Sequence, residues 1–333
     1  MADFEGVLIC GEFSEGHIST VTKELLRTGR TLGDQLKQPV SLLLVGQDVG
    51  DSAQEAIAHG ADKVYLVKDN PFSKSLPERY LGIVIEVTKE VEPSIILFGH
   101  TDMGRDLAPR LAARLNAPVS LNCVELSLDP ETHNLLQTKP VYGGNALAVW
   151  ASVSEEPGVV TMRPRASTPA EPDVSREGHI IPVKTEVEGI QTKGELLETV
   201  KEEVKGIKLE EAKVIVAGGG GIGGREGFEM LGELARVLGG AVGITRVPRD
   251  EGWMPSSQEI GQTGHIVSPD LYIAVGISGA PQHLAGCSGA KKIVAINKDP
   301  QAHIFQEADI GIVGDYREVI PILIEQCRDR LKT

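Results

Sequence analysis

The chain has little of what marks a nucleic-acid-binding or membrane-spanning protein. Aromatic residues make up only 4% of its 333 residues, and the formal net charge is −14 at pH 7. Nucleic-acid binders need a basic surface and, for single strands, aromatic side chains on which bases stack, so we expect none here. No apolar run approaches the roughly 18 residues of a membrane helix, so we expect that the protein does not span a membrane.

Cysteine is also sparse and widely spaced. The four cysteines, Cys10, Cys123, Cys287 and Cys327, form no C-x-x-C pair. This spacing argues against a zinc site, an iron–sulfur cluster and a disulfide framework, so we predict no metal site. The N-terminal residues run directly into a strand-like segment and show no sign of a secretory or transit peptide. We therefore expect a cytoplasmic location.

Short apolar runs alternate with amphipathic segments in the first half of the chain. The runs begin at Gly6, Ser41, Lys63 and Ser94. This alternation predicts a parallel sheet covered by helices. A chain of this length usually forms more than one domain. The predicted fold class is therefore α/β, with two domains, each a mostly parallel sheet with flanking helices.

One helix is predicted in detail, and strands follow it. Thr101 or Asp102 is available as its N-cap, and the leucine spacing predicts one core-facing stripe. These leucines are Leu107, Leu111 and Leu115. Strand-like runs then begin at Val124, Ala146 and Val159 and predict a β-rich extension of the first domain. The Gly-Gly-Asn at residues 143–145 is typical of a hairpin turn.

The domain boundary is predicted from composition. Residues 167–177 are rich in Pro, Ser, Glu and Asp, which indicates an exposed connection. A charged segment follows from Lys193 and leads to a boundary near Gly206. The predicted domains are residues 1–206, an α/β domain with the β-rich extension and the linker, and residues 207–333.

The second domain opens with a strand, a run of glycines and a helix. Either of two registers satisfies G-x-G-x-x-G, through Gly218, Gly220 and Gly223 or one residue later, and such a loop suits phosphate. A nicotinamide site needs an acidic residue at the end of the next strand, and this strand ends in Thr245-Arg246. Asp250 and Glu251 leave a displaced acid possible, whereas a cation at the strand end suits a phosphate or an anionic ring.

Residues 261–297 hold two further glycine-rich turns. GQTG begins at Gly261 and GISGAPQH begins at Gly276, and the apolar run 271–275 lies between them. Backbone N–H groups in both turns can face one elongated anionic ligand. The span therefore predicts a dinucleotide-type binding site.

These motifs together resemble the large (alpha) subunit of electron-transfer flavoproteins. The second-domain motifs are TRVPRDEGWMP from Thr245, QEIGQTGHIVSPDLYIAVGISGAPQHLAG from Gln258 and KKIVAINKDPQAHIFQEADIGIVGD from Lys291. In the first domain, GRDLAPRLAARL from Gly104, TKPVYGGNA from Thr138 and VVTMRPRA from Val159 are similar to the family. The resemblance covers nearly the whole chain.

The resemblance implies a Rossmann-like, doubly wound second domain that binds FAD, and a smaller beta subunit that contacts the first domain and completes the site. Thr263 would lie near flavin N5, His283 at the O2 edge and Arg246 over the ring. The full implied FAD-binding set is Gly220, Thr245, Arg246, Ile260, Gly261, Gln262, Thr263, Ser278, Gly279, Ala280, Pro281, Gln282, His283, Asn297, Asp315 and Tyr316.

The resemblance implies separate roles for different residues of this FAD-binding set. Residues 278–282 would follow the ribityl and phosphate portion, Thr245 would reach the pyrophosphate, and Asn297 and Asp315 would hold the adenosine end. The chain departs from the family at Gly220, where an arginine is common, so one phosphate contact is missing. Arg225 is near enough in sequence to replace that charge.

Three functions are compatible with the sequence. The first is an electron carrier that takes electrons from a flavin dehydrogenase of the acyl-CoA dehydrogenase type and passes them to a quinone reductase or another acceptor. The chain shows no paired-carboxylate, Ser/His/Asp or metal constellation, which fits a carrier without catalytic residues. The second is a subunit of an NADH-dependent, flavin-based electron-bifurcating complex. The third is an NAD-dependent dehydrogenase.

Overall fold

The chain folds into two compact units. The computed structural model describes residues 4–14, 16–46, 49, 51–68, 77–144, 146–154, 156–184 and 207–331. The first unit comprises Met1–Pro140 and Leu147–Lys201, and the second comprises Val141–Ala146 and Glu202–Thr333. The predicted boundary near Gly206 and the start of the charged segment at Lys193 lie outside the described residues.

The first unit is built on a parallel sheet. Its strands are β1 (Val7–Cys10), β2 (Phe13–Ser14), β3 (His17–Ile18), β4 (Val40–Val45), β5 (Lys63–Val67), β6 (Ile95–Gly99), β7 (Val119–Cys123), β8 (Glu125–Leu128), β9 (Leu135–Val141), β10 (Ala146–Ala151), β11 (Gly158–Met162) and β12 (His179–Pro182). Seven of them form one sheet in the order β12-β5-β4-β1-β6-β11-β7, and every neighbouring pair is parallel.

Helices cover both faces of this sheet. They are α1 (Thr20–Leu36), α2 (Ser52–Ala58), α3 (Pro77–Val91) and α4 (Asp102–Leu115). All six residues of β4 are buried, as expected for a central parallel strand that contacts a hydrophobic core on each face. The predicted helix after Thr101 is confirmed. The Thr101 side chain caps α4 by accepting from the Gly104 N–H, and Leu107 and Leu111 are fully buried.

Two expectations for the first unit need correction. The strand near Val159, expected in the β-rich extension, is β11 of the main sheet, and only β8, β9 and β10 form a separate three-stranded sheet. Residues 167–177 are largely exposed but are held to the first unit, since the Asp173 N–H donates to the Ala58 carbonyl and Arg176 pairs with Asp62. Strand β12 then joins the same sheet, so this segment belongs to the unit and is not an inter-domain linker.

The second unit is a doubly wound parallel sheet. Its strands are β13 (Val214–Gly218), β14 (Ala241–Ile244), β15 (Leu271–Val275), β16 (Ile293–Asn297) and β17 (Ile310–Val313), in the order β14-β13-β15-β16-β17, with every neighbouring pair parallel. Its helices are α5 (Arg225–Val237), α6 (Arg246–Asp250), α7 (Pro281–Cys287), α8 (Ile304–Glu307) and α9 (Tyr316–Leu331). The predicted α/β class with a Rossmann-like second domain is confirmed.

The strand–glycine–helix prediction at the start of this unit is also confirmed. Helix α5 buries Phe228, Leu231 and Leu234, which are three residues apart, against the sheet. A second core lies on the opposite face of the sheet. Among the described residues, no helix combines the length and the apolar character that crossing a membrane requires.

Candidate functional site

The predicted site residues cluster at the carboxyl ends of the second unit's strands. Strand β13 pairs with β14 on one side and β15 on the other, so the chain reverses its winding direction there. Ligands of open α/β sheets bind in the crevice outside the carboxyl ends, at such a reversal. The residues that directly follow the five strand ends are Gly219, Thr245, Gly276, Lys298 and Gly314. The sheet therefore brings most of the predicted residues to one edge.

The first glycine loop packs directly against the turn after β15. A Cβ on Gly219 would lie 2.3 Å from the Gly276 carbonyl oxygen, and one on Gly221 would lie 2.9 Å from Gly276 Cα. The Gly221 N–H donates to that same carbonyl at 3.0 Å. The first glycine loop and the turn after β15 thus contact each other through their backbones, and only glycine at positions 219 and 221 leaves room for this contact. Gly220 differs, since its Cβ would meet only the side chain of Val247, at 3.2 Å.

The turn after β15 presents unpaired backbone donors. Within the described part of the chain, no acceptor bonds the backbone N–H groups of Ser278, Gly279 or Ala280. Gly279 has φ +88, and a Cβ there would lie 2.3 Å from the Ile304 nitrogen. Successive N–H groups in a turn form a concavity suited to an anion. The turn can therefore hold a phosphate.

The GQTG turn packs against the segment that follows. The Gln262 N–H donates to the Gln282 carbonyl at 2.8 Å. A Cβ on Gly286 would lie 2.3 Å from the Gly261 nitrogen, so α7 approaches the turn at backbone distance. Gln262, Thr263 and Gln282 are exposed. The two glycine-rich turns that the sequence predicts as one binding site therefore form one continuous surface.

Arg246 begins a short helix and is held by an acidic neighbour. Its Nε lies 3.1 Å from Asp250 Oδ2, and 71% of its side chain is exposed. Arg249 contacts the other carboxylate oxygen of Asp250, with Nη2 at 2.6 Å. The arginines hold the pKa of Asp250 below its ordinary value, with Arg249 the larger cause. Asp250 is therefore committed to two arginines and is not available as a ribose-binding acid.

A buried carboxylate lies beneath the GQTG turn. Glu259 is 4% exposed and forms an ion pair with Arg249 Nη1. Its other oxygen, Oε1, accepts a hydrogen bond from the Thr263 hydroxyl at 2.9 Å. Thr263 is the residue that the resemblance assigns to flavin N5. Glu259 and Arg249 were not among the predicted site residues.

His283 does not present a ring nitrogen to the surface. It is 6% exposed, with Nδ1 2.9 Å from the Ile260 carbonyl oxygen and Nε2 2.9 Å from the Tyr272 hydroxyl. A carbonyl only accepts, so Nδ1 carries the proton and Nε2 accepts from Tyr272. Both nitrogens bond to groups inside the second unit, and the contact with the flavin O2 edge that the resemblance implies stays a prediction. The ring instead fixes Ile260, and with it the start of the GQTG turn.

Burial also decides the charge of this histidine. It lowers the pKa of His283 from 6.5 to about 4, so the ring is neutral at pH 7 and does not titrate near neutrality. The unfolded chain binds the proton at higher pH than the folded chain, so stability falls as the pH drops below about 6.5. We expect roughly 1 kcal/mol less stability from this residue at pH 5.5 than at pH 7.

Urea unfolding of the native chain and His283→Gln at both pH values tests this. The variant should lose less stability on acidification than the native chain. His100, whose pKa burial also lowers to about 4, is unchanged in both proteins, so its contribution cancels. An equal loss in both proteins would mean that His283 is already protonated in the folded state or not buried.

The remaining predicted residues support the loops. The Asn297 amide donates to the Ile277 carbonyl at 2.9 Å, and its oxygen accepts from the Asp299 N–H at 3.0 Å. Asp315 accepts from the Arg317 N–H at 2.9 Å at the start of α9. Tyr316 is buried, and its hydroxyl donates to the Ile222 carbonyl at 2.9 Å, which ties α9 to the first glycine loop. These contacts fix the edge of the binding surface.

Two further positions lie at the margin of the site. Thr245 is half-buried, and its N–H donates to the Gly218 carbonyl at 3.0 Å. His265 is half-buried, and its Nδ1 is within hydrogen-bond distance of Glu210 Oε1. Arg225, considered as a substitute for the missing arginine, is exposed at the first residue of α5.

Family models match both halves of the chain. The family model described as "Electron transfer flavoprotein domain" matches residues 7–187. The model described as "Electron transfer flavoprotein FAD-binding domain" matches residues 208–288. The second match covers both the first glycine loop and the two turns at the sheet edge.

Relatives match the chain from end to end. An electron transfer flavoprotein subunit alpha of Thermoanaerobacterium thermosaccharolyticum is 44% identical over 98% of this chain and 99% of its own length. That of Bacillus subtilis is 42% identical over 96% of both chains. A protein named FixB from Clostridium saccharobutylicum is 39% identical over 99% of this chain and 98% of its own. The chain therefore belongs to the family of electron-transfer flavoprotein alpha subunits.

Proposed function

We propose that this chain binds FAD at the carboxyl edge of its second unit and carries electrons between flavin enzymes. The main support is the run of unpaired N–H groups at Ser278, Gly279 and Ala280, which lies beside the GQTG turn. A bound flavin accepts and releases electrons one at a time, and the protein supplies the binding and electrostatic environment. The chain's own residues then bind and orient the cofactor and set its potential.

The residues present fit an FAD molecule. The backbone donors suit its pyrophosphate, and Gly279 lets the turn pack at backbone distance from Ile304. Arg246 keeps most of its side chain exposed beside the site, as a cation over an electron-accepting ring requires. A nicotinamide cofactor is less suited, since the nearest acid after β14, Asp250, already bonds two arginines.

The proposed partners follow from the family. Relatives named as alpha subunits support a heterodimer with a beta subunit that contacts the first unit and completes the FAD site. We propose a dehydrogenase of the acyl-CoA dehydrogenase type as electron donor and a quinone reductase or another redox protein as acceptor, in the cytoplasm. Membership of an NADH-dependent bifurcating complex is the alternative.

Nucleotide counting separates these possibilities. We would co-purify the chain with the product of the adjacent gene, release the nucleotides by denaturation and quantify FAD and AMP. One FAD and one AMP per heterodimer supports the carrier. Two FAD with NADH-dependent bleaching supports bifurcation, and a colourless protein that binds NAD would contradict both.

The glycine at position 220 gives a prediction about affinity. Gly220 is exposed, lacks a positive φ and faces only the Val247 side chain, so an arginine fits there without backbone strain. Gly220→Arg should add one charge-assisted phosphate contact of about 1.4 kcal/mol and tighten FAD binding roughly tenfold.

Fluorescence titration of the apo-heterodimer with FAD measures this change. Gly232→Arg is the matched control, because it adds the same charge at a different place, in helix α5. A new Cβ at Gly232 would have no atom within 4 Å. Equal tightening in both variants would indicate a general charge effect, and no tightening at Gly220 would show that the loop lies away from the phosphates.

A further inference from the structure

We infer that Glu259 is a positioning residue that fixes the Thr263 hydroxyl as a hydrogen-bond acceptor toward the bound ligand. Glu259 lies directly below the GQTG turn, and a Cβ on Gly264 would come within 2.9 Å of its Cγ. Its side chain is only 5% exposed. The inference rests on the proposed function and on the resemblance, which assigns Thr263 to flavin N5.

The direction of the hydrogen bond follows from the partners of Glu259. One carboxylate oxygen pairs with Arg249 Nη1, and the other, Oε1, lies 2.9 Å from Thr263 Oγ1. A carboxylate paired with a guanidinium has no proton to give, so the hydroxyl must be the donor. A threonine hydroxyl has a single proton, and Glu259 takes it.

The hydrogen bonds that the Thr263 hydroxyl can still form are then determined. Its oxygen keeps lone pairs that can accept a hydrogen bond, and Thr263 is exposed. The Thr263 hydroxyl can therefore accept a hydrogen bond from an N–H group, but it has no proton to donate to an unprotonated ring nitrogen. Flavin N5 carries a hydrogen when fully reduced by two electrons and none when oxidised, so this arrangement favours the fully reduced cofactor by one hydrogen bond.

Arg249 keeps the hydrogen bond directed from the Thr263 hydroxyl to Glu259. Its guanidinium contacts Glu259 through Nη1 and Asp250 through Nε at 3.0 Å and Nη2 at 2.6 Å. Asp250 in turn contacts Arg246. Ion pairs thus link Arg246 through Asp250 and Arg249 to Glu259, and Glu259 accepts the hydrogen bond from Thr263. Because Arg249 is anchored by Asp250, it stays against Glu259 and needs an acceptor there.

Glu259→Gln should reverse the hydrogen bond without changing the side-chain size. A glutamine amide has one acceptor atom, which the Arg249 guanidinium will take, so its NH2 group faces Thr263 and donates to it. The Thr263 proton is then released toward the ligand. An oxidised flavin in the variant receives a hydrogen bond at N5 that the native protein does not give.

Nitrogen NMR of the oxidised holo-heterodimer loaded with FAD labelled with ¹⁵N at N5 tests the inference. Donation to a ring-nitrogen lone pair moves its resonance upfield. We expect an upfield shift of N5 in Glu259→Gln relative to the native protein. Thr263→Val in the Glu259→Gln background should abolish that shift, and Thr263→Val alone should leave N5 unchanged.

The outcomes separate the inference from the proposed function. FAD content is measured in every sample by extraction, and a native complex without FAD refutes the proposed function and the inference together. A complex that holds FAD but shows no shift in Glu259→Gln, or a downfield shift in Thr263→Val alone, overturns the inference only. Thr263→Val decides the question even if Glu259→Gln does not fold, because Thr263 is an exposed turn residue.

Discussion

Gly279→Ala is expected to destabilise the second unit by about 2–5 kcal/mol and to release the bound cofactor. Gly279 has φ +88, where an L side chain costs roughly 1–2 kcal/mol. The new Cβ would also lie 2.3 Å from the Ile304 backbone nitrogen, and such overpacking typically costs about 1–3 kcal/mol. Relief of that contact requires the turn to move away from α8, which displaces the unpaired N–H groups of the turn.

Gly239→Ala is the matched control for this change. Gly239 has φ +65, a similar backbone conformation, but no atom lies within 4 Å of a Cβ at that position. It should show the conformational cost alone and keep its cofactor. Thermal unfolding and flavin absorbance of both variants measure the difference. Equal destabilisation, with cofactor retained in both, would show that contact between the turn and Ile304 is not needed for binding.

Arg246→Ala is expected to lower the flavin's reduction potential. A guanidinium in contact with the ring stabilises the negative charge that reduction adds, by about 2 kcal/mol at an effective dielectric constant near 40. For one electron this corresponds to roughly 85 mV. Potentiometric titration of the holo-heterodimer measures the shift.

Asp250→Asn is expected to shift the reduction potential in the opposite direction, so it is a second test of the same interaction. Asp250 Oδ2 lies 3.1 Å from Arg246 Nε and offsets part of the guanidinium charge. Removal of that carboxylate charge should raise the potential while Arg246 remains in place. The double variant should show little effect of the Asp250 change if it acts through Arg246. An unchanged potential in Arg246→Ala would place this side chain away from the ring.

Most of the architecture of the second unit could be predicted from local sequence patterns. The run at residues 271–275 is strand β15, and the leucine and phenylalanine spacing after the glycines gives the buried face of α5. Parallel strands buried on both faces leave continuous apolar runs, and the connections between them carry glycine-rich turns. The meeting of these turns at one edge followed from the parallel topology.

Other features depend on contacts that no local pattern encodes. The Glu259–Arg249 ion pair joins helix α6 to the segment that precedes the GQTG turn, and a charge pattern alone would place both residues on a solvated surface. The Tyr272–His283 bond requires β15 and α7 to be packed together, so the sequence could not tell a buried histidine from an exposed one. The insertion of β11 between β6 and β7 likewise depends on pairing over long sequence separations.

Hydrogen–deuterium exchange tests directly whether FAD binds the unpaired N–H groups of Ser278, Gly279 and Ala280 in the second unit. Exchange would be compared in the apo-heterodimer and after addition of FAD, with peptides that cover both subunits. We expect the strongest slowing of exchange in the peptide that spans residues 276–283. Unchanged exchange in that peptide, with FAD bound and protection elsewhere, would contradict it.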